Sequence, residues 1–333
     1  MNLEDIQIHQ NASIVEALRK LNEIRDVSRL ILFVTDDNQV VVGSLTDGDI
    51  RRSLAKDMDI YKEVGLICNR NFICEWDDKD HIQLQPFREK QIKILPILNK
   101  EKQLKRIIDL ERTLSVLPIE CVLMAGGRGK RLSPLTDTTP KPMLPLGDRP
   151  IIEHNIDRLI AYGVKKFYIA INYLGKQIEA YFGDGSNKGV EIEYIRENKA
   201  LGTAGALSLI EGFSTENVLL MNGDLFTDVD FEDLYNNMIS QKADIIVAST
   251  EYKVDVPYAI FETTKGSVTG FREKPTYVYH SNAGIYIMKK ELINRIPKDK
   301  YYDITDLLDL LMEEGGKVAH NPILGYWVDI GKP

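Results

Sequence analysis

At 333 residues the chain is longer than one ordinary domain, so two are expected, each large enough to bury its own core. Hydrophobic residues make up 44% and charged residues 28%, and the formal net charge of -8 leaves no footprint for nucleic acid or an anionic membrane surface, so any basic site must be local. No apolar run reaches the length of a membrane span, and "MNLEDIQIHQ" lacks the basic start and apolar centre of a signal peptide; a cytoplasmic protein with no membrane partner is expected.

The first expected element is a helix, because Ile14, Ala17, Leu18 and Leu21 fall at helical spacing. "RLILFVTDDNQVVVGSL" then reads as strand, turn, strand, and "IRRSLAKDM" after "TDGD" as another helix. The pattern returns in weaker form in "KILPILNKEKQLKRIIDLERTL". Laying Asp36 on Asn99, an offset of 63 residues (99 minus 36), brings Leu32–Val34 over Leu95–Ile97 and the second hairpin strand over Leu104–Ile108, as an internal repeat would. Residues 1–115 resemble a tandem pair of cystathionine-beta-synthase (CBS) modules, a small α+β regulatory domain. The resemblance implies an adenine nucleotide in the cleft between modules. Thr46 and Asp49 of "TDGD" would then form the Ser/Thr-x-x-Asp step, the hydroxyl on a phosphate and the carboxylate on the ribose. The same residues also fit a helix cap, with Thr46 or Asp47 bonding the free amides ahead of Ile50. At the equivalent positions of the second module, Asp109 and Arg112, the step is lost.

Pro118 breaks the preceding pattern, and Ile119–Met124 is a short apolar run suited to a strand buried on both faces, so a second domain is expected over residues 118–333. It continues with a helix over 151–161 and a strand over Lys166–Ile171, then a helix over Leu174–Tyr181 and a strand over Val190–Ile195. A helix near Thr203–Ile210 and a strand over Val218–Met221 follow, then a helix over Phe231–Ser240 and a strand over Ile245–Ala248. Alternating strands and helices predict an α/β fold with a doubly wound, mostly parallel sheet. Cys68, Cys74 and Cys121 form no CxxC pair, and the five histidines show no HxxxH spacing, which leaves no zinc or disulfide framework.

The loop after the first strand of that sheet, "MAGGRGKRLSPLTDTTPKPM", lies where α/β ligands usually bind. Two glycine motifs fail in it. Gly127-x-Gly129 is followed by Leu132 where a dinucleotide fingerprint needs glycine, and Lys130 is followed by Arg131 where a P-loop needs Ser or Thr. What remains is Arg131, Lys141 held between Pro140 and Pro142, and glycine amides able to approach an anion. Two cations of different geometry suit a triphosphate. The alternative is a solvated basic turn.

The stretch "GGRGKRLSPLTDTTPKPMLPLGDRPIIEH" resembles the signature of the sugar-1-phosphate nucleotidylyltransferases, and "LGTAGAL", "MNGD", "REKP", "NAGIY" and "YWVDIG" follow in family order. The resemblance implies a Rossmann-like nucleotidyltransferase sheet and attack of a hexose-1-phosphate oxygen on the α-phosphorus of a nucleoside triphosphate, releasing pyrophosphate. It places Arg131, Lys141 and Lys274 around the reacting phosphorus as catalytic cations, and Asp224 with Asp329 on Mg²⁺. Ala125, Gly126, Gly127, Gly129, Glu197, Gly202 and Thr203 would hold the nucleotide, and Asn222, Glu273 and Asn282 the sugar phosphate. The family commonly has Thr at the position of Lys130 and continues into a helix beyond "DIGKP". The combination resembles CBS-fused guanylyltransferases of bacterial surface-sugar pathways acting on mannose-1-phosphate or glucosamine-1-phosphate, and a homo-oligomer is expected. Two rivals stand beside it: uridylyl or thymidylyl transfer to glucose-1-phosphate, and a non-catalytic adenine-nucleotide sensor.

Base choice rests on Glu197, at the position where the family meets the Watson–Crick edge and where thymidylyl and uridylyl relatives often carry Gln. A carboxylate offers acceptors only, which suits the adjacent N1–H and 2-amino donors of guanine and repels the unprotonated N1 of adenine. GTP is the expected donor. The alternative is an exposed acid at a strand end.

Overall fold

The computed structural model describes residues 3–25, 27–78 and 82–331, and the chain divides into two units, Met1–Val116 and Leu117–Pro333.

In the first unit the same three-stranded motif occurs twice. Gln7–His9 runs parallel to Ile31–Thr35, which pairs antiparallel with Val41–Thr46; Glu75–Trp76 runs parallel to Ile94–Leu98, which pairs antiparallel with Leu104–Asp109. Both hairpin strands start 63 residues apart (94 minus 31, 104 minus 41), and the ladder irregularity after Val34 recurs after Ile97 at the same offset (97 minus 34). Asp36 and Asn99 do equivalent work, each side-chain oxygen accepting from an amide four residues on, Val40 in one turn and Gln103 in the other. Val40 pairs with Gln103, its own counterpart (103 minus 40 is again 63), so a local two-fold axis passes between them.

The copies differ outside their strands. Helix Ile14–Glu23 is started by a Ser13/Glu16 capping box and buries Ile14, Ala17 and Leu21, whereas the helix before the second hairpin is only Gln85–Glu89. Helix Asp47–Leu54 follows the first hairpin, while residues 110–112 after the second form a turn.

The second unit is built on a seven-stranded sheet. Its strands are β1 (Ile119–Met124), β2 (Lys166–Ile171), β3 (Glu191–Arg196), β4 (Asn217–Asn222), β5 (Ile245–Asp255), β6 (Thr276–Lys289) and β7 (Val318–Pro322), in the order β3-β2-β1-β4-β6-β5-β7. All pairings are parallel except those of β6, which runs against both neighbours. Burial on both faces explains the unbroken apolar runs. Cys121, Leu123, Leu219 and Met221 enter one core with the helices Ile151–Ala161 and Phe231–Gln241; Val122, Val218 and Leu220 enter the other with Leu307 and Leu311 of helix Ile304–Glu313.

The expected mostly parallel, doubly wound sheet is present, with two strands, β6 and β7, beyond the sequence reading. The expected helix near Thr203–Ile210 is broken into an α turn, Gly202–Gly205, and a 3-10 turn, Ala206–Leu209. Past the sheet, Thr250–Asp255 of β5 and Thr276–Ser281 of β6 continue as a two-stranded, largely exposed arm, with the hairpin Ile260–Thr264/Ser267–Arg272 between them in sequence. Among the described residues no helix is long and apolar enough to cross a membrane.

Candidate active site

A cavity of about 370 Å³ opens beyond the carboxyl ends of β1 to β4. Its walls include Gly126 and Gly127 after β1, Asn172 after β2, Glu197 after β3, and Asn222 and Asp224 at and after the end of β4. This is where parallel α/β sheets present loops to a ligand, because successive crossovers diverge there.

Gly126 and Glu197 fit each other. A Cβ on Gly126 would lie 2.5 Å from Glu197 Oε2, so the missing side chain is what admits the carboxylate against the loop. The Leu201 amide donates to Glu197 Oε1 at 3.3 Å. Burial raises the Glu197 pKa above the usual carboxylate range, with the Leu201 bond opposing it. Ala125 is buried under the loop and donates its amide to the Ala170 carbonyl, while Gly129, in the left-handed region at φ +59, packs against Thr136 and the Cβ of Lys141.

Asp224 and Asp329 are brought together by a short antiparallel pair, Leu225–Thr227 with Trp327–Asp329, in which Leu225 is opposite Asp329. Lys141 reaches both. Its Nζ donates to Asp224 Oδ2 and, at 3.2 Å, to Asp329 Oδ1. The three side chains are 14%, 21% and 30% exposed for Lys141, Asp224 and Asp329, enough shelter to strengthen their charges while leaving a route for solutes. Among the described residues no group of three or more His, Cys, Asp or Glu could hold a metal ion. The two carboxylates converging on one ammonium do fit a hard divalent cation, which would take its remaining oxygens from phosphate and water.

Gly202 (φ +79) and Thr203 lie against the segment that starts helix Ile304–Glu313: a Cβ on Gly202 would sit 2.6 Å from the Tyr302 carbonyl, and Thr203 donates its amide to Asp303 Oδ1 at 3.0 Å. Tyr301 and Asp303 line the cavity, as Asn172 does, and the sequence reading named none of them. A signal existed for one. Asp303 and Asp306 form a reciprocal cap ahead of the apolar helix, a spacing visible as "DITD".

The cavity walls thus include Gly126, Gly127, Lys141, Glu197, Gly202, Thr203, Asn222 and Asp224, with Asp329 joined through Lys141. Besides Ala125 and Gly129 in the loop, four predicted residues stand outside the wall. Arg131 is exposed on the turn Lys130–Leu132, and it is Arg128 that stacks on Tyr173, 4.9 Å from the ring centre. Glu273 and Lys274 are exposed on the arm. Asn282 turns its amide oxygen to the Gly284 amide and the Tyr286 hydroxyl, both at 2.9 Å.

In the first unit a larger cleft of about 770 Å³ is lined from both copies, among others by Thr46, Asp47, Phe72, Lys93 and Pro96. Asp49 is not in its wall. Thr46 caps helix Asp47–Leu54, and Asp49 Oδ2 accepts from the Thr46 amide (2.8 Å) and hydroxyl (2.6 Å) while Oδ1 accepts from Arg52 (2.7 Å). At the equivalent place in the second copy, Asp109 accepts from the Ser28 amide and hydroxyl, both at 2.7 Å.

Comparison with known proteins matches the nucleotidyl transferase family over residues 120–333 and the CBS domain over residues 1–56. The CBS match covers the first copy of the three-stranded motif, and the second copy repeats its strand register. Mannose-1-phosphate guanylyltransferase of Mycobacterium tuberculosis is 31% identical over 223 residues, 65% of this chain and 62% of that protein. UTP–glucose-1-phosphate uridylyltransferase of Synechocystis is 31% identical over 235 residues, 64% of this chain and 60% of that protein. The chain thus spans under two thirds of the length of these relatives. The crystal structure of a Bacillus anthracis protein assigned as a glucose-1-phosphate thymidylyltransferase aligns with a TM-score of 0.52 at 26% identity, covering 64% of this chain and 90% of that one. With the family match extending over the whole sheet and every wall of its cavity, the chain belongs to the nucleotidyl transferase family, joined to an N-terminal CBS domain.

Proposed function

We propose that the second unit transfers GMP from GTP to a hexose-1-phosphate, mannose-1-phosphate or glucosamine-1-phosphate, giving a nucleoside-diphosphate sugar and pyrophosphate. The observation that carries this reading is the convergence of Asp224 and Asp329 on Lys141, at the wall of the cavity that Gly126 and Gly127 also line. Asp224 and Asp329 would hold Mg²⁺, which supplies charge stabilisation to phosphate oxygens when bound. The residues do the rest by position. The glycine loop admits phosphate to its amides, Lys141 adds a point charge, and Glu197, against Gly126, selects the base. Arg131, Lys274, Glu273 and Asn282 lie outside the cavity wall and keep their proposed contacts with phosphate and sugar through the family resemblance alone.

Relatives named for guanylyl and uridylyl transfer are equally similar to this chain, so base choice is argued from Glu197. The test is a pyrophosphate-release screen of GTP, ATP, UTP and dTTP against a panel of sugar-1-phosphates. GTP with mannose-1-phosphate or glucosamine-1-phosphate is the expected pair. Preference for UTP or dTTP with glucose-1-phosphate selects the other transferase reading, and no release with any pair leaves a binding protein.

For the first unit we propose an adenine nucleotide in the cleft lined by Thr46 and Asp47, acting as a regulatory ligand. Because Asp49 holds the cap beside that cleft, Asp49→Ala should cost about 1 kcal/mol of stability and weaken the nucleotide about tenfold, with the pyrophosphate-release rate unchanged when the nucleotide is absent. Calorimetry on the full chain with AMP, ADP and ATP checks it; no heat of binding at millimolar ligand makes the unit structural.

A further inference from the structure

We propose that Lys141 is a counter-ion lock on the metal site: in the nucleotide-free protein its ammonium holds the position between Asp224 and Asp329, and a divalent cation enters with the triphosphate, whose oxygens take the lysine over. The inference rests on the reading of Asp224 and Asp329 as the metal pair.

Three observations support it. The ammonium is shared, donating to one oxygen of each carboxylate, so one positive charge faces two negative ones and already fills the region where a cation would touch both. The seat is shaped for it. A Cβ on Gly331 would lie 2.2 Å from Lys141 Nζ, and the Gly331 amide donates to Asp329 Oδ1 at 2.8 Å, fixing the carboxylate oxygen that faces the lysine. The base of the lysine is also fixed. Lys141 begins the turn Lys141–Met143 between two prolines, with the Met143 amide on the Pro140 carbonyl at 2.8 Å and the Lys141 Cβ against Gly129.

An ammonium and a divalent cation cannot share that space, since both need the same carboxylate oxygens and their like charges repel. A free divalent cation must therefore displace Lys141 from both carboxylates, while the other carboxylates of the wall, Glu197 and Asp303, already accept from the Leu201 and Thr203 amides. A metal–triphosphate complex brings several anionic oxygens, and these re-house the lysine at the same moment. Loading is then ordered by charge balance.

Mn²⁺ alone, titrated into the full chain without nucleotide and followed by electron paramagnetic resonance, is the test. Lys141→Met should bind Mn²⁺ at least about tenfold tighter than the parent, and adding Asp224→Asn to that variant should abolish the gain. Lys141→Gln offers a second route if Lys141→Met does not fold, because it also removes the ammonium charge while keeping a polar side chain; it too should tighten Mn²⁺. If the parent binds Mn²⁺ as tightly as Lys141→Met and Asp224→Asn removes both, the metal pair stands and the lock is wrong. If Asp224→Asn leaves the Mn²⁺ affinity of Lys141→Met unchanged, the metal pair itself is wrong and the lock falls with it.

Discussion

Asp224→Asn is expected to lower kcat for pyrophosphate release by roughly 10³-fold or more while the protein stays folded. The side chain follows β4 at the cavity wall, and its carboxylate is engaged by Lys141 rather than packed in a core. Asparagine keeps the shape but removes a full charge from the position proposed to hold a cation against phosphate. Stability should change little, about 1 kcal/mol, because Lys141 retains Asp329 and the site is partly solvated. The measurements are initial rates at saturating Mg²⁺, GTP and sugar-1-phosphate, together with a thermal melt. Near-parental turnover in a folded variant removes Asp224 from the metal site.

The second large effect is on base choice. The parent should favour GTP over ATP by about 10²-fold in kcat/KM, since a carboxylate accepts from both guanine donors and ATP leaves it facing an acceptor. Glu197→Gln should erase most of that ratio. Burial holds the Glu197 carboxyl above its usual range, and only the ionised form accepts from both donors. The GTP preference should therefore be fullest at the alkaline end and decline as pH falls toward the raised pKa, with no such slope in Glu197→Gln. A parent that prefers UTP or dTTP, or a glutamine variant with the GTP ratio intact, would show that Glu197 does not read the base.

What the sequence makes legible here is local. The buried strands of the second unit announce themselves as apolar runs because both faces are covered, and the hairpin repeat of the first unit because Asp36 and Asn99 perform the same turn. β6 escapes such reading. Its inner half, Ala283–Met288, is buried, but its outer half forms the exposed arm, so neither a clean alternation nor a bounded run marks its fourteen residues. Asp329 reaches Lys141 through a pairing with residues about a hundred positions earlier, and Tyr301 and Asp303 reach the cavity because the turn at Gly202 docks on them. Spacing carries no trace of either contact. The same holds for Arg131 and Lys274, whose motifs give their chemistry but not their distance from the cavity.

The two-fold axis between Val40 and Gln103 gives the first unit a direction. A cleft formed by two identical halves would accept an asymmetric molecule equally well either way round. Here one half presents Thr46 and Asp47 at the start of a capped helix, while Asp109, the counterpart of Thr46, stands outside the wall and accepts from Ser28, which lines it. Duplication supplied the frame, and divergence of one copy made the cleft polar. A ligand with a charged end and a neutral end meets two unlike walls and lies in a single orientation, so one chain presents one message rather than two superimposed ones.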